Sequence, residues 1–232
     1  MKDAGAQNIV TASPMVSKCH AADHFYKAIK NVVGGQFEQT VTAKTWSHFI
    51  KCDHGSVPPG EQFLLMWPQS LKEEARLRLF EYLGGKQVII IHPGSGSPAK
   101  NWLAEKFAVL AKKIRNKTSF EPIVIGGEAD DGAIKSMRSL LPGLHFIVNT
   151  PLMDVASILS VAGGYVGNDS GITHLAAVLG IPVVALFGPT DPAIWAPRGK
   201  KVTIIKSFLP SNESLSEIGV EAVFQALKAN TG

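Results

Sequence analysis

Cysteine is scarce. The chain of 232 residues holds only Cys19 and Cys52, far apart and outside any CxxC or metal-ligand spacing, which argues against a disulfide framework and against a zinc site. A reducing cytoplasm fits that usage. No apolar run approaches the ~20 residues that would span a bilayer, and no apolar signal core follows Met1 to Gly5, so any membrane contact is expected to be peripheral. Charge of one sign is not concentrated either. The 23 Lys and Arg are scattered among 19 Asp and Glu for a net +4, with no polybasic run, and nucleic acid is not the expected partner. That balance is compatible with an anionic ligand if the charges converge on a pocket, and equally with plain solubility.

What is present is a globular composition, 45% hydrophobic and 18% charged. From Lys86 onward short β-branched runs alternate with amphipathic stretches, the grammar of repeated βα units and a doubly wound parallel sheet. The predicted strands are Val88 to Ile91, Ile123 to Ile125, Phe146 to Val148, Tyr165 to Val166, Val183 to Leu186 and Val202 to Ile205. Between them Leu103, Phe107, Leu110, Ala111 and Ile114 recur at helical spacing. Thr150-Pro151 reads as an N-cap with proline at the first helical position, and Ser214 with Glu217 reads as a capping box before the stripe Val220, Val223, Phe224 and Leu227. The first 85 residues lack this grammar. They offer a helix near Ala21 to Val33, an irregular stretch through Val57-Pro58-Pro59-Gly60, and a helix Leu71 to Tyr82 that stops at Gly84-Gly85. Two domains are expected, residues 1–85 and residues 86–232.

Three turns carry candidate chemistry. His92-Pro93-Gly94-Ser95-Gly96-Ser97-Pro98-Ala99-Lys100 puts small residues just past a strand, where backbone amides approach a phosphate closely, and Lys100 adds a positive charge that stabilises a diphosphate as ligand and as leaving group. Gly94-x-Gly96-x-x-Ala99 also fits a dinucleotide fingerprint. Pro98 disturbs the helix start, however, and no acidic residue closes a second strand at the roughly 20-residue distance that ribose recognition requires. The pattern GxxxxGK(S/T) is absent, and a connecting turn without a ligand stays open. Gly167-Asn168-Asp169-Ser170-Gly171-Ile172-Thr173-His174 reads as strand, turn and helix, aiming the amides of Ser170 and Gly171 and the helix dipole at an anion. Asp169 either caps that helix or accepts sugar hydroxyls, and His174 either reaches the same phosphate or is packed and satisfied. Glu128 follows Gly126-Gly127 at a strand end, where a carboxylate can pair with ribose hydroxyls. Asp130 and Asp131 read as partners of a helix dipole in a first turn, and no metal is expected.

These blocks, in this order, resemble the donor-binding half of the glycosyltransferase family 9 enzymes, the ADP-heptose lipopolysaccharide heptosyltransferases. The resemblance runs from Val88 to Arg198 through His92-Pro93-Gly94-Ser95 with Lys100-Asn101-Trp102, Gly126-Gly127-Glu128, Gly167 to His174, and Phe187-Gly188-Pro189-Thr190-Asp191-Pro192. It implies a GT-B-like α/β fold, a complete Rossmann-like donor domain with a partial N-terminal domain on the acceptor side. It implies inverting transfer of heptose from ADP-heptose to a lipid-linked saccharide acceptor, without metal or cofactor, in the cytoplasm or at the inner membrane surface. Carried over by position, Ser95, Gly96 and Lys100 contact phosphates, Glu128 the ribose and Thr150 the adenine border, while Asp169, Ser170, Gly171 and His174 hold the diphosphate and heptose.

The chain departs from that family at its start. The family's opening strand and glycine-containing loop, whose aspartate is the catalytic base, has no counterpart, and Cys19-His20-Ala21-Ala22-Asp23-His24-Phe25-Tyr26 resembles a histidine-led helix late in the N-terminal domain. His20, Asp23, His24 and Asp53 are the candidate bases, none placed by a motif. The rival expectation is a truncated ADP-sugar-binding module without activity, and uncovered strand edges or apolar surface would predict self-association.

Overall fold

The computed structural model describes residues 64–207 and 214–232. The expected helix at Ala21 to Val33, the stretch through Pro58-Pro59, both cysteines and all four candidate bases lie outside them. By contact density the chain divides into residues 1–61 and 62–232, and the second unit holds every described residue.

Six parallel strands form one sheet: β1 (Val88–His92), β2 (Glu121–Gly126), β3 (His145–Val148), β4 (Gly164–Asn168), β5 (Val183–Phe187) and β6 (Val202–Lys206), in spatial order β3-β2-β1-β4-β5-β6. All six sequence-predicted strands are present. β1, β4 and β5 are buried along their whole length, as strands covered on both faces must be, so they read as continuous apolar runs instead of alternating ones. The connecting helices are α1 (Gln69–Leu83), α2 (Ala104–Lys117), α3 (Asp131–Leu140), α4 (Leu152–Ser160), α5 (Gly171–Val178), α6 (Pro192–Trp195) and α7 (Val220–Thr231).

Side chains alternate across a strand, so Ile89 and Ile91 point to one face with Val124, Val166, Val184 and Leu186. There they meet Phe107, Leu110, Ala111 and Ile114 of α2, Ile134 and Met137 of α3, and Val223, Phe224 and Leu227 of α7. α4 packs against α1 and α5, which contacts β4 and β5. Trp67 is tied down by a hydrogen bond from its Nε1 to Ser157 Oγ of α4 (3.0 Å), so α1 belongs to the same compact unit as the sheet.

Three helix starts differ from the sequence expectation. Leu103 is exposed and precedes α2 instead of joining its apolar stripe. Pro151, not Thr150, occupies the N-cap of α4, and no side chain caps it; Asn149 takes a positive φ of 54°, and Thr150 Oγ1 points back to Val148 O (3.4 Å). Ser214–Glu217 form a 3₁₀ turn of their own, and α7 begins after Gly219, so Glu217 accepts from Ser207 Oγ (3.3 Å) instead of closing a capping box.

Candidate functional site

Parallel strands end on one side, so the turns after β1, β2, β3, β4 and β5 share one edge of the sheet. Strand order reverses between β1 and β4, and in open α/β sheets the crevice at such a reversal is where ligands bind. Asn168, fully buried at the end of β4, fixes that crevice. Its Nδ2 donates to Pro93 O (2.8 Å) and Gly94 O (3.3 Å), and its Oδ1 accepts from Trp102 N (3.0 Å). Trp102 is clamped in turn by a bond from Nε1 to Ile218 O (3.0 Å) and by an edge contact with Phe107. Both ends of the loop 93–102 are therefore rigid.

Between those ends the backbone is bare. Gly96 has φ of 69°, the left-handed region that glycine enters without strain, and no heavy atom stands where a Cβ would project. Ser95 is buried, its Oγ 2.7 Å from Ser97 O and 2.5 Å from Asn101 Oδ1, so its side chain braces the loop. Lys100 reaches across to the β4 turn, with Nζ 3.2 Å from both Asp169 O and Asp169 Oδ2, and its side chain keeps 25% of its surface in solvent.

The turn after β4 sets the other wall. Ser170 is the N-cap of α5, its Oγ accepting from Thr173 N (3.4 Å); Asp169 is therefore not the cap. Asp169 is buried and held by Lys100 and by Thr190 Oγ1 (2.9 Å) from the turn after β5. The amides of Gly171 and Ile172 open α5 at the positive end of its dipole, on the crevice side, whereas Thr173 N already donates to Ser170 O (3.1 Å) and Oγ. His174 lies one turn further along and is buried.

Asp130 departs from its expected role. It ends a 3₁₀ turn, Glu128–Asp130, and is buried beneath the loop after β1, where Oδ2 meets His92 Nε2 (3.1 Å) and accepts from Gly127 N (2.8 Å). Burial alone would raise its pKa. The His92 hydrogen bond and charge, with the Gly127 amide, outweigh that and hold the carboxyl below its ordinary 3.8. Gly94 is small because of this pair: a Cβ there would overlap the Asp130 carboxylate. Asp131 opens α3 and is exposed, as a dipole partner should be.

Glu128 and Thr150 stand apart on the flank. Glu128 is exposed past the end of β2. Thr150 borders a groove of about 400 Å³ between α1 and the β3–α4 side, walled by Leu71, Leu79, Tyr82, Phe146 and Ile158. Lys100, Asp169, Ser170 and Gly171 thus meet in one crevice, whereas Glu128 and Thr150 lie beyond it over β2 and β3. The sequence reading missed His92, Asp130, Asn168 and Thr190 as site-building residues. Each stands at or just past a strand end, and a buried-type position carrying a polar residue there is the signal that would have found them. Among the described residues no three His, Cys, Asp or Glu side chains group to hold a metal ion, and no helix is long and apolar enough to cross a membrane.

The family model for glycosyltransferase family 9 (heptosyltransferase) matches residues 58–221. Lipooligosaccharide heptosyltransferase 2 of Haemophilus influenzae is 30% identical over 165 residues, covering 65% of this chain and 47% of its own length. Lipopolysaccharide heptosyltransferase 2 of Salmonella typhimurium is 29% identical over 153 residues, covering 61% and 44%. The solved ADP-heptose lipopolysaccharide heptosyltransferase II of E. coli superposes with a TM-score of 0.65 at 25% identity, over 72% of this chain and 53% of that one. The chain thus spans about half the length of the curated relatives it matches. Since the matched model covers well over half of its residues, including every turn of the crevice, the chain belongs to glycosyltransferase family 9, the heptosyltransferases.

Proposed function

We propose that the compact unit of residues 62–232 binds ADP-heptose, and that the chain serves the inverting transfer of heptose to a lipopolysaccharide core acceptor. The observation that carries this reading is the convergence of Lys100, Asp169 and Thr190 beside the N-terminus of α5, at the strand-order reversal. Lys100 and the α5 amides supply positive potential where a departing ADP gains charge, which is worth most in a partly dehydrated crevice. The backbone at Gly96, the N-terminus of α5 at Ser170 and Gly171, and His174 border the diphosphate and heptose; Ser95 acts by shaping the loop. Asp169 accepts heptose hydroxyls while Lys100 turns to phosphate. Glu128 pairs with the ribose, and the groove beside Thr150 receives the adenine. Residues 1–61, outside the compact unit that holds α1 and the sheet, belong to the acceptor side, where a lipid-linked saccharide is presented by peripheral contact with a membrane.

ADP is expected to raise the melting temperature of the chain, and Lys100→Ala to weaken that binding at least tenfold, about 1.4 kcal/mol. Absence of any shift with ADP would remove the donor site. Release of ADP from ADP-heptose in the presence of core lipid tests transfer directly; binding without release would leave a donor-binding module.

A further inference from the structure

The hydroxyl of Ser170 has one hydrogen and more neighbours than it can serve. Thr173 Oγ1 donates its own hydrogen to Asn168 O, so Tyr165 OH must donate to Thr173 Oγ1 (2.9 Å). Ser170 Oγ already accepts from Thr173 N, and its hydrogen is left to choose among Thr173 Oγ1 (3.0 Å), the Tyr165 phenol oxygen and His92 Nδ1 (3.3 Å). On the far side of the imidazole, an ionised Asp130 accepts only, so His92 Nε2 must carry a hydrogen. In its neutral form His92 therefore presents a bare Nδ1 toward Ser170, in a side chain only 5% exposed.

An anion that draws the Ser170 hydrogen toward itself leaves Nδ1 facing an oxygen lone pair with nothing between them, which is costly in a buried place. A proton added at Nδ1 repairs this. The imidazolium donates to Ser170 Oγ, and Ser170 donates outward. We infer that His92 is a positioning residue that takes up a proton when a diphosphate binds at the N-terminus of α5, turning the Ser170 hydroxyl from a donor to the protein into a donor to the ligand. The inference rests on the donor-site reading above. The titratable groups around this chain of bonds are Asp130 past β2, Tyr165 on β4, His174 on α5, and the Lys100–Asp169 pair.

The test is calorimetric titration of ADP into the full chain at pH 8, in two buffers of different ionisation enthalpy, which counts protons taken up per ADP bound. ADP exchanges protons of its own, so the informative quantity is the difference from His92→Asn, whose amide places a permanent N–H where Nδ1 stands. Wild type is expected to take up close to one proton more than this variant, and to lose up to about tenfold in affinity per pH unit where the variant does not. Ser170→Ala, which removes the hydroxyl, is expected to bind more weakly and to lose the extra proton, and it carries the test if His92→Asn does not fold. Equal proton counts in wild type and variant would overturn the inference while leaving donor binding intact. No heat or thermal shift with ADP would overturn both.

Discussion

The centre of the sheet's carboxyl edge and its β2–β3 flank are built in opposite ways. At the centre, polar groups are buried and bonded to each other: Asn168 to three backbone atoms, Asp130 to His92, and Asp169 to Lys100 and Thr190. On the flank, Glu128 stands in solvent and Thr150 lines an open groove. Preorganised dipoles are most effective where charge must be stabilised without rearrangement, whereas a sugar or base can be met by side chains that order on binding. The difference predicts that substitutions at the centre act first on stability, and those on the flank act on ligand binding alone.

Asn168→Ala is the hardest blow to the centre. It leaves two carbonyls and one amide unpaired in a dry position, at about 1–3 kcal/mol for each unsatisfied group, so a loss of at least about 3 kcal/mol is expected. At roughly 2–4 °C per kcal/mol for a domain of this size, the melting temperature should fall by on the order of 10 °C. A fall of only a degree or two would mean that the centre is not rigidly held. Gly94→Ala should rank next. Its methyl displaces the Asp130 carboxylate and orphans the His92 Nε2 hydrogen, for a loss of about 2–3 kcal/mol measurable by urea unfolding.

A smaller effect follows from Asp130. Its carboxyl is held below 3.8 when folded, so its stabilisation is complete above the unfolded value and is lost as pH falls through the lowered folded value. Wild type should therefore lose stability below about pH 4 more steeply than Asp130→Asn. Parallel acid limbs for the two proteins would show that the His92 contact does not hold the carboxylate in solution.

The division between centre and flank also decides what a sequence can reveal. Val88 to Ile91 announces a doubly buried strand because four apolar β-branched residues stand between Lys86-Gln87 and a glycine-rich turn, and the other strands follow suit. The positions of Lys100, Glu128 and Asp169 in turns past strand ends were legible for the same reason: a strand end is a local feature. The His92–Asp130 bond joins residues 38 apart through turns after two different strands, and no local spacing encodes it. Asp130 resembled a first-turn helical acid because it does precede α3 directly; tertiary burial overrode that local meaning. The two capping expectations failed in a related way. Thr150 and Ser214-x-x-Glu217 satisfy a local pattern, but a positive φ at Asn149 and the interposed Gly219 move the true helix starts onward.

Glu128→Gln is the mildest change and the sharpest test of the flank. The side chain is exposed and makes no hydrogen bond among those of the described residues, so stability should stay within about 0.5 kcal/mol of wild type. If the carboxylate pairs with ribose hydroxyls, ADP binding should weaken by a few-fold, since a bond to a charged acceptor is worth about 1.5–3 kcal/mol when buried and less in solvent. Inorganic pyrophosphate, which has no ribose, should bind the two proteins equally. Equal weakening of both ligands would assign Glu128 to the shape of the turn and to Asp130 beneath it, joining flank to centre. A loss confined to ADP would keep the two regions separate, one holding the phosphates by rigidity and the other choosing the nucleoside.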